Sequence, residues 1–429
     1  MEKYVINGGT PLRGPVDISG MKNAACPIIF ASLLTGSVCV IENLPAINDV
    51  ALSLEIMQSI GCRVRMLAKD TVEIDSRDAE GGSSPFDLVR KMRSSYYLLG
   101  AELGRYGRAC VGYPGGCDFG VRPIDQHIKG FEALGAEVSV DSGCVVAEAK
   151  YGLRGSSVYF DMVTVGGTIN VILAAVLAKG MTVIENAARE PHIVDVANFL
   201  NTCGARITGA GTDTIRVRGV EKLRGCTYAI IPDMIEAGTF MIAAAATGGA
   251  MVVRNVIPKH LESITAKLEE MGVIVEEYDD YVYVTRSGDL NRINIKTLPY
   301  PGFPTDMQPQ MCVLLCQANG VSFLTESIFE NRFKYVEELR LMGASIIVDG
   351  RTAIIEGGTT LQAAPVRAMD LRAGAAMVIA GLCCKGRTEI DEIFHIERGY
   401  DNLVGKLTAV GADIRKIVIP DSVEYGTAN

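Results

Sequence analysis

The 429 residues exceed what one ordinary core organises, so two domains of about 200 residues each are expected. With 48% hydrophobic residues, 6% aromatic residues and no Trp, the core must be built from Ala, Val, Ile, Leu and Met. A net charge of −9 excludes the broad positive field that nonspecific binding to nucleic acid or to an anionic membrane needs, so any anionic ligand requires a local cationic pocket.

The chain opens on Met1-Glu2-Lys3-Tyr4-Val5-Ile6-Asn7-Gly8, which lacks the apolar run of a signal peptide, and no later stretch is long enough to span a bilayer. A cytoplasmic protein is expected. Two markers then recur in step. A helix end, Gly and an apolar strand appear as Ile60-Gly61-Cys62, Leu134-Gly135-Ala136, Cys203-Gly204-Ala205, Met271-Gly272-Val273, Met342-Gly343-Ala344 and Val410-Gly411-Ala412. Successive glycines are 74, 69, 68, 71 and 68 residues apart. A mostly apolar helix closed by Gly runs in phase with them, over 26–36, 96–107, 170–180, 237–249, 311–320 and 373–386.

Each unit therefore reads strand, apolar helix, strand, amphipathic helix, and one or two strands. Asn170 to Ala178 is apolar almost all round and must be surrounded by protein, whereas His260 to Met271 carries a polar face. Six such units suggest two globular domains of three, with helices in the middle and sheets outside, and a solenoid suits an all-round buried helix less well. The break falls near Ile231-Pro232, so the domains are expected as 20–231, and 1–19 plus 232–429.

Polar residues gather in the loops that enter the apolar helices: Lys22 and Asn23, Arg93, Thr164, Asp233, Asp306, and Asp370 with Arg372. If two domains face each other, these loops pool in a cleft where helix N-termini offer amide hydrogens to phosphate or carboxylate. Lys22 is either a solvated lysine or a functional one, and its place after Ser19-Gly20 at a helix start favours the second. Asp233, Asp306 and Asp370 stand where an N-cap belongs. For Asp306 the proline-stiffened run Pro299 to Thr305 makes a substrate-facing carboxylate an equal alternative. Arg332 and Arg398 are either repeat-structural or anion-binding.

The segment Pro114-Gly115-Gly116-Cys117-Asp118-Phe119-Gly120-Val121-Arg122-Pro123-Ile124-Asp125 reads as a mobile loop. A buried Cys117 would be inert, but a thiol in a Gly-Gly loop near Arg122 loses its proton more easily and can donate or attack. The other cysteines of the twelve form no C-x-x-C pair and, with four scattered His, give neither a zinc signature nor a disulfide framework.

Several motifs resemble one family. Gly20-Met21-Lys22-Asn23-Ala24-Ala25, the Gly-Gly-Cys117 loop with Arg122-Pro123-Ile124-Asp125, Asn186 to Pro191, Phe303 to Gln308, Phe329 to Phe333, Asp370-Leu371-Arg372 and Glu397 to Tyr400 are similar, in this order, to the UDP-N-acetylglucosamine 1-carboxyvinyltransferases of peptidoglycan synthesis. The resemblance runs nearly end to end. It implies a two-domain inside-out α/β barrel, each domain three βαβαββ units with buried helices. It implies transfer of the enolpyruvyl group of phosphoenolpyruvate to the 3′-hydroxyl of UDP-N-acetylglucosamine, with no metal or organic cofactor.

By the same resemblance Cys117 is the general acid and Asp306 the base. Lys22, Arg122 and Arg398 clamp phosphoenolpyruvate with Arg372 supporting, while Asn23, Arg93, Arg122, Pro123, Ile124, Asp125, Gln126, Thr164, Val165, Asp306 and Ile328 meet the nucleotide sugar. Met162 and Gly167 stand where some relatives carry a basic residue and Ala, and Met234 where others have Arg. The partners implied are these two small molecules, with no nucleic acid, no membrane and a monomeric chain. The rivals are a 5-enolpyruvylshikimate-3-phosphate synthase-like transferase, whose family lacks the Gly-Gly-Cys loop, and a noncatalytic nucleotide-sugar-binding paralogue.

Overall fold

The computed structural model describes residues 2–81, 86–112, 124–141 and 143–418. The six outer helices end alike, on Ile60, Leu134, Cys203, Met271, Met342 and Val410, each followed by its glycine. After the first, Cys62 N donates to Met57 O and Gly61 N to Gln58 O, both at 3.0 Å. The same pair of bonds closes all six copies, and the six glycines take φ between 90° and 104°. This closure satisfies orphan carbonyls at a left-handed residue, which is why Gly recurs at the repeat period.

The inner helices are Lys22–Ala31, Tyr97–Tyr106, Val165–Ala175, Met234–Thr247, Gln308–Leu315 and Leu371–Cys383. Burial is nearly continuous: in Leu371–Cys383 every residue from Leu371 to Leu382 is buried. Small residues let such helices touch. A Cβ on Gly100 would stand 2.6 Å from the Asn170 carbonyl oxygen, so the helix Tyr97–Tyr106 meets Val165–Ala175 backbone to backbone. In the fourth unit the left-handed residue is Gly248, φ 66°, rather than the expected Gly249.

Contacts divide the chain into two units, Ser19–Met234 with Leu298–Pro304, and 2–18 with Ile235–Thr297 and 305–418. Among the described residues each holds three sheets, as the six-fold repeat requires. In five of the six, a short strand lies parallel to the strand after the inner helix, and two antiparallel strands follow. The sheet of Arg108–Gly112, Cys144–Glu148 and Glu137–Asp141 has three strands among the described residues.

Two leading strands are exchanged. Arg13–Asp17 precedes the first inner helix yet pairs with Ala250–Arg254, and Thr227–Ala229 precedes the fourth yet pairs with Val38–Glu42. The N-terminal strand Glu2–Gly8 fills the last sheet, between Gly386–Asp391 and Asp413–Val418.

Candidate active-site residues

In the unit containing the first three repeats, Lys22 opens its helix and its Nζ lies 2.8 Å from Asp49 Oδ2, both side chains largely buried. It is therefore no solvated surface lysine. Asn23 beside it is half-buried. Arg93 begins the turn Arg93–Tyr96, its guanidinium carbon 5.6 Å from the Tyr96 ring centre. Thr164 caps the helix Val165–Ala175, its Oγ1 accepting from Gly167 N at 3.2 Å, and Val165 is half-buried.

Asp125 is exposed in the first turn of the helix Asp125–Ala133, whereas Ile124 and Gln126 are buried. Gln126 is fixed by three bonds: Oε1 accepts from Asp161 N at 3.0 Å, and Nε2 donates to Asp125 Oδ2 at 3.0 Å and to Asp161 Oδ2 at 3.1 Å. His127 was not singled out from sequence, yet it is the centre of this neighbourhood. Asn170 Oδ1 accepts from Gly100 N at 2.9 Å, so Asn170 Nδ2 is the donor to His127 Nδ1, also at 2.9 Å. Burial first, then the Arg93 guanidinium, push His127 down to about 4, and it is neutral near pH 7.

In the other unit, Asp306 lies in the turn Thr305–Met307. Its Oδ1 accepts from Arg332 Nη2 at 3.0 Å, and its Oδ2 from Arg372 Nε and Nη2, both at 3.2 Å. The two arginine side chains are 2% and 3% exposed and the aspartate 28%. Burial alone would raise the Asp306 carboxyl, but the Arg372 and Arg332 guanidiniums override it and hold the group well below the usual carboxylate range. The following helix, Gln308–Leu315, has Met307 at its N-cap and no side-chain cap. Asp306 is therefore not a cap.

Asp370, at the corresponding repeat position, is one: its Oδ1 accepts from Arg372 N at 2.8 Å and Ala373 N at 2.9 Å. That cap sets the first turn from which Arg372 reaches Asp306, and the Arg372 guanidinium carbon lies 5.4 Å from the Tyr400 ring centre. Arg332 and Arg372 thus bring two guanidiniums, planar donors of the kind that bind carboxylate and phosphate, to one carboxylate. Arg332, left open from sequence between a repeat-structural and an anion-binding role, is an ion-pair partner of Asp306. Arg398 is half-buried at the C-cap of Phe394–Glu397, and Ile328 is 36% exposed. Cys117, Arg122 and Pro123 lie outside the described residues.

Known proteins resemble this chain along nearly its whole length. The family model described as EPSP synthase (3-phosphoshikimate 1-carboxyvinyltransferase) matches residues 6–407. A UDP-N-acetylglucosamine 1-carboxyvinyltransferase 3 from Caldanaerobacter subterraneus subsp. tengcongensis is 58% identical, over 97% of this chain and 100% of that one. The chain belongs to the UDP-N-acetylglucosamine 1-carboxyvinyltransferase family.

Another member, from Clostridium botulinum, is 56% identical over 97% of this chain and 100% of its own. Among solved structures, the enolpyruvyl transferase NikO from Streptomyces tendae superposes with a TM-score of 0.89 at 26% identity, covering 98% of this chain and 99% of that one. EPSP synthase from Acinetobacter baumannii, 18% identical over 97% and 100% of the two chains, shares the fold with a TM-score of 0.78. The two-domain α/β architecture of the enolpyruvyl transferases is thus the fold of this chain. Among the described residues no helix is long and apolar enough to cross a membrane.

Proposed function

We propose that the chain transfers the enolpyruvyl group of phosphoenolpyruvate to the 3′-hydroxyl of UDP-N-acetylglucosamine and releases phosphate, the first committed step of peptidoglycan synthesis. The observation that carries this reading is the Asp306 cluster, an ionised carboxylate with an exposed edge between two buried guanidiniums, in a chain 58% identical to an enzyme named for this transfer.

In the reaction the 3′-oxygen bonds to C2 of phosphoenolpyruvate while C3 takes a proton. A proton then leaves C3, the C2–O bond to phosphate breaks, and the hydroxyl proton departs, in net, with phosphate. Cys117 supplies the proton to C3 and Asp306 receives the one from the hydroxyl. A carboxylate held so far down is a weak base toward a free alcohol. It becomes an adequate one as the new C–O bond makes that proton strongly acidic, and until then it orients the hydroxyl. Lys22, Arg122 and Arg398, with Arg372, hold the phosphate and carboxylate of phosphoenolpyruvate. Asn23, Arg93, Arg122, Pro123, Ile124, Asp125, Gln126, Thr164, Val165 and Ile328 meet the nucleotide sugar. The enzyme works as a cytoplasmic monomer without metal or organic cofactor.

Fosfomycin, an epoxide resembling phosphoenolpyruvate, tests the acid. Peptide mass mapping should find one adduct, on Cys117, enhanced by UDP-N-acetylglucosamine. Adducts spread over several cysteines, or none, remove that role.

A further inference from the structure

Glu326 has no part in the roles above, yet its buried carboxylate accepts four hydrogen bonds. It follows the strand Val321–Thr325 and is 1% exposed. Its Oε1 accepts from Thr297 Oγ1 at 2.9 Å, Ile328 N at 2.8 Å and Phe329 N at 3.1 Å, and its Oε2 accepts from Thr305 Oγ1 at 2.8 Å. Thr297 Oγ1 in turn accepts from Ser327 N at 2.9 Å.

The bonds to Ile328 and Phe329 are those of a local turn, for which a smaller Asp or Ser side chain suffices. The bonds to Thr297 and Thr305 reach 29 and 21 residues along the chain, and no turn needs them. A carboxylate costs several kcal/mol to bury, so a neutral residue would join these segments more cheaply unless their placement mattered. What the segments share is the candidate site. Thr305 precedes Asp306, Ile328 is a proposed sugar contact, and the Phe329 ring centre lies 5.2 Å from the guanidinium carbon of Arg332, which holds Asp306.

We propose that Glu326 is a positioning residue: its buried carboxylate ties the Thr305–Asp306 turn to the Ile328–Arg332 segment, so that base, arginine and sugar contact are set by one anion. This rests on the reading of Asp306 as the base. Each bond to the anion is charge-assisted and resists the displacement that a neutral hydroxyl pair would allow.

The test uses Thr305→Val, which removes one hydroxyl at constant shape, Thr305→Ser, which keeps it, and Glu326→Gln, which turns one acceptor oxygen into a donor. Thr305→Val should lower kcat about tenfold with the KM for phosphoenolpyruvate within about twofold, because the lost bond is to a charged group and acts on the base. Thr305→Ser should stay within about twofold of wild type, and Glu326→Gln should fall at least about fivefold, also in kcat. A role in folding alone would lower the melting temperature of Thr305→Val and leave kcat, measured well below melting, unchanged. That result overturns the proposal, as does an unchanged kcat in Glu326→Gln, which decides the matter if Thr305→Val does not fold. If the wild-type enzyme itself has no turnover with UDP-N-acetylglucosamine, the reaction assignment fails first and this role with it.

Discussion

Two neighbourhoods, one in each unit, hold their candidate residues in different ways. Around Asp306 the arrangement is ionic: one carboxylate between two buried guanidiniums. Around His127 the central group is neutral: an imidazole kept unprotonated, an amide that fixes its acceptor nitrogen, and beside it a buried Gln126 with three bonds. Both arise beside an inner helix of the same repeat. The difference teaches that the repeat supplies only a location, a loop beside a buried helix. Whether the location does charge chemistry or shape reading is decided by what side chains the neighbouring repeats send there.

The comparison breaks most visibly at Asp306. Asp306→Ala should cut turnover by about 10²- to 10⁴-fold, and stability should fall by about 3 kcal/mol because two buried guanidiniums lose their shared partner. Steady-state phosphate release and urea unfolding measure the two effects, and an unaltered rate would leave Asp306 an ion-pair residue only. Arg372→Lys keeps the charge and loses the fork that spans Nε and Nη2, so kcat/KM should drop by about 10- to 100-fold. A full rate in that variant would mean that charge alone matters.

The neutral side is sharpened by pH. An unfolded His takes up its proton below about 6.5, whereas native His127 does so only near about 4. Its contribution to stability is therefore complete above the unfolded value and is lost as pH falls from there toward the native one, by at most about 3 kcal/mol. The unfolding free energy of wild type relative to His127→Gln should shrink over that window, and a constant difference would show that the imidazole is not held neutral. The smallest effect is at the cap: Thr164→Ala should cost about 1 kcal/mol in urea unfolding, and no change would mean that Gly167 N has found another acceptor.

Much of this fold was legible in the sequence because its punctuation is local. A left-handed residue one position beyond a helix end demands Gly, and six such demands at one period expose the repeat before any tertiary contact is known. The all-round apolar helices were legible for the same reason, since burial acts on each residue in turn. The exchange of Arg13–Asp17 and Thr227–Ala229 was not, because either strand fits either sheet and only the assembled chain selects the pairing.

The candidate site divides along the same line. Asp306 and Asp370 share the repeat position of an N-cap, and only the proline-stiffened run before Asp306 offered a second reading there; the one-turn helix Thr305–Met307 intervenes at Asp306 and turns its carboxylate toward arginines 26 and 66 residues away. His127, Asp49 and Glu326 were missed because their partners are distant in sequence and carry no spacing to betray them.

The central claim is the identity of the alcohol that receives the enolpyruvyl group. Phosphate release from phosphoenolpyruvate, with the organic product weighed by mass spectrometry, should be measured with UDP-N-acetylglucosamine and, separately, with shikimate 3-phosphate. Stoichiometric phosphate and an enolpyruvyl ether of the nucleotide sugar, with nothing from shikimate 3-phosphate, is the outcome expected here. Release with shikimate 3-phosphate alone, or with neither acceptor, would contradict it.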